Sequence, residues 1–138
     1  MRSLGTVRRR GVLAIGLAAA LAVPALALAY GGPAEALAKL EPGRWVVHSP
    51  TRTGFERSVC IGDPTLLLQL EHGAAGCSHE WVRADGDGAI VQYSCPGRGF
   101  GRTSLRIETS KVATIETQGL ADGRPFAYRA TARKVSGC

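Results

Sequence analysis

The 138-residue chain contains no internal repeat and no low-complexity linker. That excludes solenoid and multi-module architectures and leaves room for one domain. No Ser or Cys sits in a nucleophile-elbow motif, so the local arrangement that activates a hydroxyl or thiol for acyl transfer is missing. Acidic residues are absent from the first 29 positions, which hold four of the 17 Lys and Arg. The full chain carries +6 and a pI of about 9.6, but residues 30–138 hold 13 basic against 11 acidic residues, a net +2. Most of the basicity therefore belongs to the leader, and nucleic acid is not expected as a partner.

The leader has an export pattern. Arg2, Arg8, Arg9 and Arg10 precede an almost wholly apolar stretch from Gly11 to Ala22, then Pro24 and the run Ala25-Leu26-Ala27-Leu28-Ala29. Ala27-Leu28-Ala29 is an A-x-A signature, which places a cut between Ala29 and Tyr30 and makes residues 1–29 a secretory signal peptide. The competing reading is an uncleaved anchor, since Gly11–Ala29 is nearly long enough to span a bilayer. Arg9-Arg10-x-Val12-Leu13 loosely suggests twin-arginine export, and the lack of a cysteine near the cut argues against a lipoprotein. A periplasmic or secreted protein follows, in contact with the membrane only during export.

Cys60, Cys77, Cys95 and Cys138 all lie beyond the leader. An even count in a short exported chain reads as two disulfides. Three connectivities exist. Cys60–Cys77 with Cys95–Cys138 is slightly favoured, because a hairpin that is already paired gains less from a bridge across its own ends. Cys77–Cys95 with Cys60–Cys138 is the alternative.

Along residues 30–138, Tyr30–Glu41 reads as a flexible lead with about one helical turn, followed by one β domain over 42–138. Arg44–Ser49 is the first strand, with Trp45 and Val47 on one face. Phe55–Ile61 alternates, with Phe55, Val59 and Ile61 opposite Glu56, Ser58 and Cys60. Asp63 as N-cap, Pro64 at the first helical position, Leu66, Leu67 and Leu70 as a stripe, and Gly73 as a stop predict the single short helix. Cys77–Cys95 is a hairpin about Asp85-Gly86-Asp87-Gly88. A register pairing Val82 with Ile90 puts Cys77, His79, Trp81, Val91, Tyr93 and Cys95 on one face. Pro96–Gly101 reads as a glycine-rich connection. Thr103–Thr109 and Val112–Gln118 follow as strands, and the last strand sets Phe126, Tyr128, Ala130 and Ala132 against Arg129, Thr131 and Arg133. The class is mainly β: an antiparallel meander of six to seven strands, forming a curved sheet or half-barrel with one short helix, stabilised by disulfides.

Pro42-Gly43-Arg44-Trp45, Cys60-Ile61-Gly62-Asp63-Pro64, Cys77, Cys95 and Arg133-Lys134-Val135-Ser136-Gly137-Cys138 together resemble a bacterial family of small secreted proteins, the domain-of-unknown-function family 3617. The resemblance extends over essentially all of residues 30–138. Arg44, Val46 and Ala132 depart from its pattern, and Pro50-Thr51-Arg52-Thr53-Gly54 replaces its Met-rich segment. The resemblance implies export and a disulfide-bonded β fold, and it brings no catalytic residue or cofactor.

Candidate chemistry is sparse. Cys60, His72, Cys77 and His79 form a Cys/His set, but their spacing fits no zinc finger and an oxidising compartment consumes thiols. His48, His72 and His79 are candidate general bases for a hydrolase, with His72 better explained as a helix C-terminal residue. Asp85-Gly86-Asp87-Gly88 begins like a calcium loop, yet its twelfth position is Pro96. Arg98-Gly99-Phe100-Gly101 matches half of an RNA-recognition motif and is followed by Arg102-Thr103-Ser104. Arg106, Arg129 and Arg133 read as a solvated face. No metal or cofactor is expected. The best specific expectation is a non-enzymatic envelope protein holding a small apolar or lipid-like ligand on the concave face, lined by Trp45, Phe55, Trp81, Tyr93, Phe126 and Tyr128. The alternatives are a metalloprotein or hydrolase built on the Cys/His residues, and a structural accessory that meets a protein partner.

Overall fold

The chain forms seven strands: β1 (Gly43–His48), β2 (Glu56–Ile61), β3 (Ser78–Asp85), β4 (Gly88–Cys95), β5 (Gly99–Thr109), β6 (Val112–Ala121) and β7 (Arg124–Ser136). Alternation of buried and exposed residues marks six of them, all but the edge strand β3. The computed structural model describes residues 32–138. The expected signal peptide over 1–29, its cut at Ala29–Tyr30, and Tyr30 and Gly31 of the lead lie outside the described residues.

All pairings are antiparallel, in the order β2-β1-β7-β6-β5-β4-β3. This is a seven-stranded up-and-down ring opened between β2 and β3. The first strand therefore sits beside the last, and the two sheet edges are consecutive in the chain. Ile61 of β2 and Val91, Tyr93 and Cys95 of β4 belong to one contiguous core, so the sheet curls around that core as a half-barrel. Trp45, Val47, Leu105, Ala113, Ile115, Ala130 and Ala132 fill it from the inner face. The alanines on β6 and β7 let the strands curve tightly without overfilling the interior.

Two short segments plug the interior. Helix α1 (Pro33–Leu37) is part of the expected flexible lead, yet Ala36, Leu37 and Leu40 are buried, so from Pro33 onward the lead is docked. Trp45 Nε1 donates to the Glu41 carbonyl at 3.0 Å, and Lys39 Nζ donates to the Gly86 carbonyl. The Glu41 carboxylate accepts from Lys134 Nζ and Ser110 Oγ, both at 2.8 Å. The Lys134 bond foremost holds its pKa below the ordinary value.

The expected helix after Asp63 is a 3-10 helix, Pro64–Leu68, continued by turns. The Asp63 carboxylate does cap it, accepting from the Thr65 N–H at 2.9 Å, and that bond lowers the Asp63 pKa. Leu67, Leu68, Gln69 and Leu70 are all buried. Four consecutive buried positions do not fit one stripe of an amphipathic α-helix, and the tighter, irregular path lets all four face the core. Thr103 Oγ1 donates to the Leu68 carbonyl at 2.6 Å, fixing this segment to β5.

The favoured disulfide pairing is corrected. The bridges are Cys60–Cys138 and Cys77–Cys95. Cys60 is exposed on the outer face of β2, flanked by the inward-facing Val59 and Ile61, whereas Cys77 packs against the core. The two thiols lie on opposite faces and cannot meet. Cys77 instead lies across the hairpin from Cys95, with their Cα atoms 4.2 Å apart, and the tail carries Cys138 to within 5.9 Å of Cys60, Cα to Cα. Both cystines point to an oxidising compartment. Among the described residues no helix is long and apolar enough to cross a membrane.

A cross-strand groove as candidate functional site

The inner face uses most of the aromatic set for packing. Trp45, Phe55, Tyr93 and Tyr128 are buried and Phe126 is half-buried. Phe55 and Tyr128 pack with ring centroids 4.8 Å apart and their planes tilted by 41°. Trp81 is the exception, 36% exposed near the free β3 edge. Of the six residues expected to line a ligand site, four are thus interior packing against one another and against the plugging leucines.

Exposed apolar surface lies instead on the outer face. Tyr93, Gly101, Gly119 and Phe126 are directly paired across β4, β5, β6 and β7. They form an inward-pointing row whose backbone floors a groove on the outside. The row on one side is Ser94, Phe100, Leu120 and Pro125; the row on the other is Glu80, Gln92, Arg102, Gln118 and Ala127. The groove encloses 720 Å³, within the range of roughly 300–1,000 Å³ that suits small-molecule ligands. Phe100 is 57% exposed on its wall, a high value for a phenyl group.

The floor has a sequence cause. A Cβ on Gly101 would run into the Tyr93 ring, and one on Gly119 would meet the Phe100 carbonyl and the Phe126 ring. Aromatic rings on β4 and β7 cover the two facing glycines from inside, a cross-strand arrangement that restores the packing glycine lacks. From the sequence alone, Gly99–Gly101 read as part of a connection. They are in fact the start of β5, and the signal that would have placed them is the alternation Phe100, Arg102, Ser104 against Gly101, Thr103, Leu105. A second hollow, lined by Thr51, Ser104, Glu116 and Arg129, adjoins the first and shares Arg102, Gln118 and Ala127 with it.

Beneath the floor lies a polar cluster. Thr103 and Thr117 hydroxyls are 2.8 Å apart. His72 packs edge-on against Tyr93, and His79 lies 6.3 Å from the same ring, centroid to centroid. Among the described residues His72 Nδ1, His79 Nε2 and Tyr93 Oη make no hydrogen bond. Burial pushes the Tyr93 hydroxyl up to about 12. His72 Nε2 and the Arg98 carbonyl are 3.3 Å apart. His72 therefore serves as a buried corner post where a helix-terminal role was expected.

The remaining candidates are dispersed. His48 is exposed on β1, 3.9 Å from Glu56. Cys60 and Cys77 are in different cystines, and among the described residues no three His, Cys, Asp or Glu side chains converge as metal ligands would. Asp85 closes the β3–β4 turn by accepting from the Asp87 N–H at 3.1 Å, the bond that chiefly lowers its pKa. Arg106 and Arg129 pair with Glu108 and Glu116 on the outer face. No family model, curated protein or solved structure matches the chain.

Proposed function

We propose that this protein is a non-enzymatic binding module of the cell envelope that carries a small apolar or lipid-like ligand in the outer groove. The observation that supports the reading is the exposed Phe100 beside Leu120 on the wall of a 720 Å³ groove. Side chains along it are phenyl, aliphatic, amide and hydroxyl groups with one carboxylate, Glu80, and one guanidinium, Arg102, and no nucleophile-and-base pair stands among them. The export pattern of residues 1–29, the resemblance to a secreted family and the two cystines support a periplasmic or secreted location reached through a cleaved signal peptide. Native mass spectrometry of protein purified from its own compartment tests the reading. A retained low-mass apolar species is expected; ligand-free protein that also takes up no hydrophobic dye would sink it.

A second reading, an accessory that meets a protein partner, is favoured by β3. β3 is a sheet edge on which Val82 is 50% exposed beside Trp81, and a free edge can accept another strand. A photocrosslinking residue in place of Val82 would trap such a partner, and recovery of only uncrosslinked protein from the native envelope would count against it.

A further inference from the structure

The two walls of the groove differ in polarity, and that difference selects among apolar ligands. Arg102 stands in the polar wall with no ion pair and no side-chain hydrogen bond among the described residues. Arg98, Arg106 and Arg129 each face a carboxylate, on Asp122, Glu108 and Glu116 respectively; Arg44, Arg124 and Arg133, which like Arg102 have no ion pair among the described residues, do not line the groove. Arg102 is two residues from Phe100 along β5, and both point outward, which sets their Cα atoms about 7 Å apart. A head group held by the guanidinium therefore leaves the first carbons of an attached chain at the phenyl wall. Glu80 lies two strands away in the same row as Arg102, with Gln92 between them. Its carboxylate repels an anion at the β3 end and so confines the head group to Arg102. The Glu116 carboxylate beyond the row is already neutralised by Arg129 at 2.8 Å.

On this basis we propose that the groove binds a long-chain carboxylate, a fatty acid. Arg102 takes the carboxylate in a bidentate pair, and Phe100 and Leu120 take the hydrocarbon chain. The guanidinium fork matches a carboxylate geometrically. Because the pair is exposed to water, it contributes selectivity more than affinity. The inference rests on the apolar-ligand reading above and adds the charge of the head group to it.

Three amphiphiles with the same tail separate the two: dodecanoate, dodecanol and dodecyltrimethylammonium, titrated below their aggregation limits into the full exported chain by calorimetry. Dodecanoate is expected to bind one per chain and more tightly than the other two. Arg102→Gln is expected to weaken dodecanoate about fivefold and leave dodecanol within twofold. Glu80→Gln is expected to tighten dodecanoate, and Phe100→Ala to weaken both. All three positions are exposed, and circular dichroism verifies that each variant is folded. Equal binding of dodecanol and dodecanoate, or no effect of Arg102→Gln, overturns the fatty-acid assignment. If Phe100→Ala still weakens both ligands in that case, the apolar-ligand reading survives. If none of the three amphiphiles binds, both readings fall.

Discussion

The Tyr128 hydroxyl donates to the Glu71 carboxylate at 2.9 Å, joining the last strand to the turn that follows the 3-10 helix. The same carboxylate pairs with Arg52 at 2.9 Å and Arg57 at 3.3 Å, and both guanidinium groups stack on Phe55 at 4.9 Å. One largely buried acid thus ties β7, β2 and the β1–β2 loop to the segment that plugs the barrel.

Glu71→Ala should therefore cost more than a surface ion pair does. Hydrogen bonds to a charged partner are each worth about 1.5–3 kcal/mol, and the half-exposed arginines are discounted for solvent. The expected loss is about 2–3 kcal/mol in urea unfolding. Glu71→Gln, which keeps an acceptor for Tyr128, should lose less. A loss within about 0.5 kcal/mol for Glu71→Ala would show that the network is surface decoration.

Local features of the fold were legible in the sequence. The alternation at Phe55–Ile61 and Thr103–Thr109, the Asp63 cap and the Asp-Gly-Asp-Gly turn are short-range signals, and each stands as read. The inferred hairpin register holds from Ser78 to Trp81, until the bulge at Val82 shifts it. That register sets Cys77 opposite Cys95, although loop entropy alone favours the other pairing. Facing strands decide which thiols meet, and entropy only sets how much the bridge is worth. Pairing of β1 with β7 joins residues about 90 apart in the chain, a contact that no local pattern encodes. The groove was illegible for a related reason. Its floor depends on Gly101 facing Gly119, and a glycine on its own reads as a corner.

The two cystines should differ in worth and in lability. They close spans of 78 and 18 residues, for which chain entropy gives about 4.5 and about 3 kcal/mol. Replacing Cys60 and Cys138 together by Ala should thus destabilise more than replacing Cys77 and Cys95. Cys60 and Cys138 are exposed while Cys95 is buried, so limited reductant should open Cys60–Cys138 first. Peptide mapping of partly reduced, alkylated protein checks the order; alkylation of Cys77 and Cys95 ahead of the other pair would contradict it.

The glycine pair offers a test of coupling. Gly101→Ala should cost about 2–3 kcal/mol, since the added methyl overpacks against the Tyr93 ring. In a Tyr93→Leu background, where the ring is gone, the same substitution should cost at least 1 kcal/mol less. Additive effects of the two changes in thermal unfolding would mean that Tyr93 does not cover Gly101.

Alkaline pH should unfold the protein through its buried phenols. Tyr93 is pushed up to about 12 by burial, and Tyr128 is raised as well, by burial first and then by the Glu71 charge. Both values lie above the ordinary 10.0, so the neutral phenols favour the folded state. Their contribution is complete below about pH 10 and is lost as pH rises toward 12. Absorbance of tyrosinate at 295 nm, followed together with far-ultraviolet circular dichroism, should show these two ionising only as the sheet is lost. Tyr93→Phe separates the two residues. Its hydroxyl has no hydrogen-bond partner among the described residues, so removing it at pH 7 should leave stability unchanged or raise it by up to about 1 kcal/mol. Tyr128→Phe forfeits the bond to Glu71 and should cost about 1.5–3 kcal/mol. Ionisation of Tyr93 near pH 10 with the sheet intact would mean that its ring is solvated and the groove floor open to water.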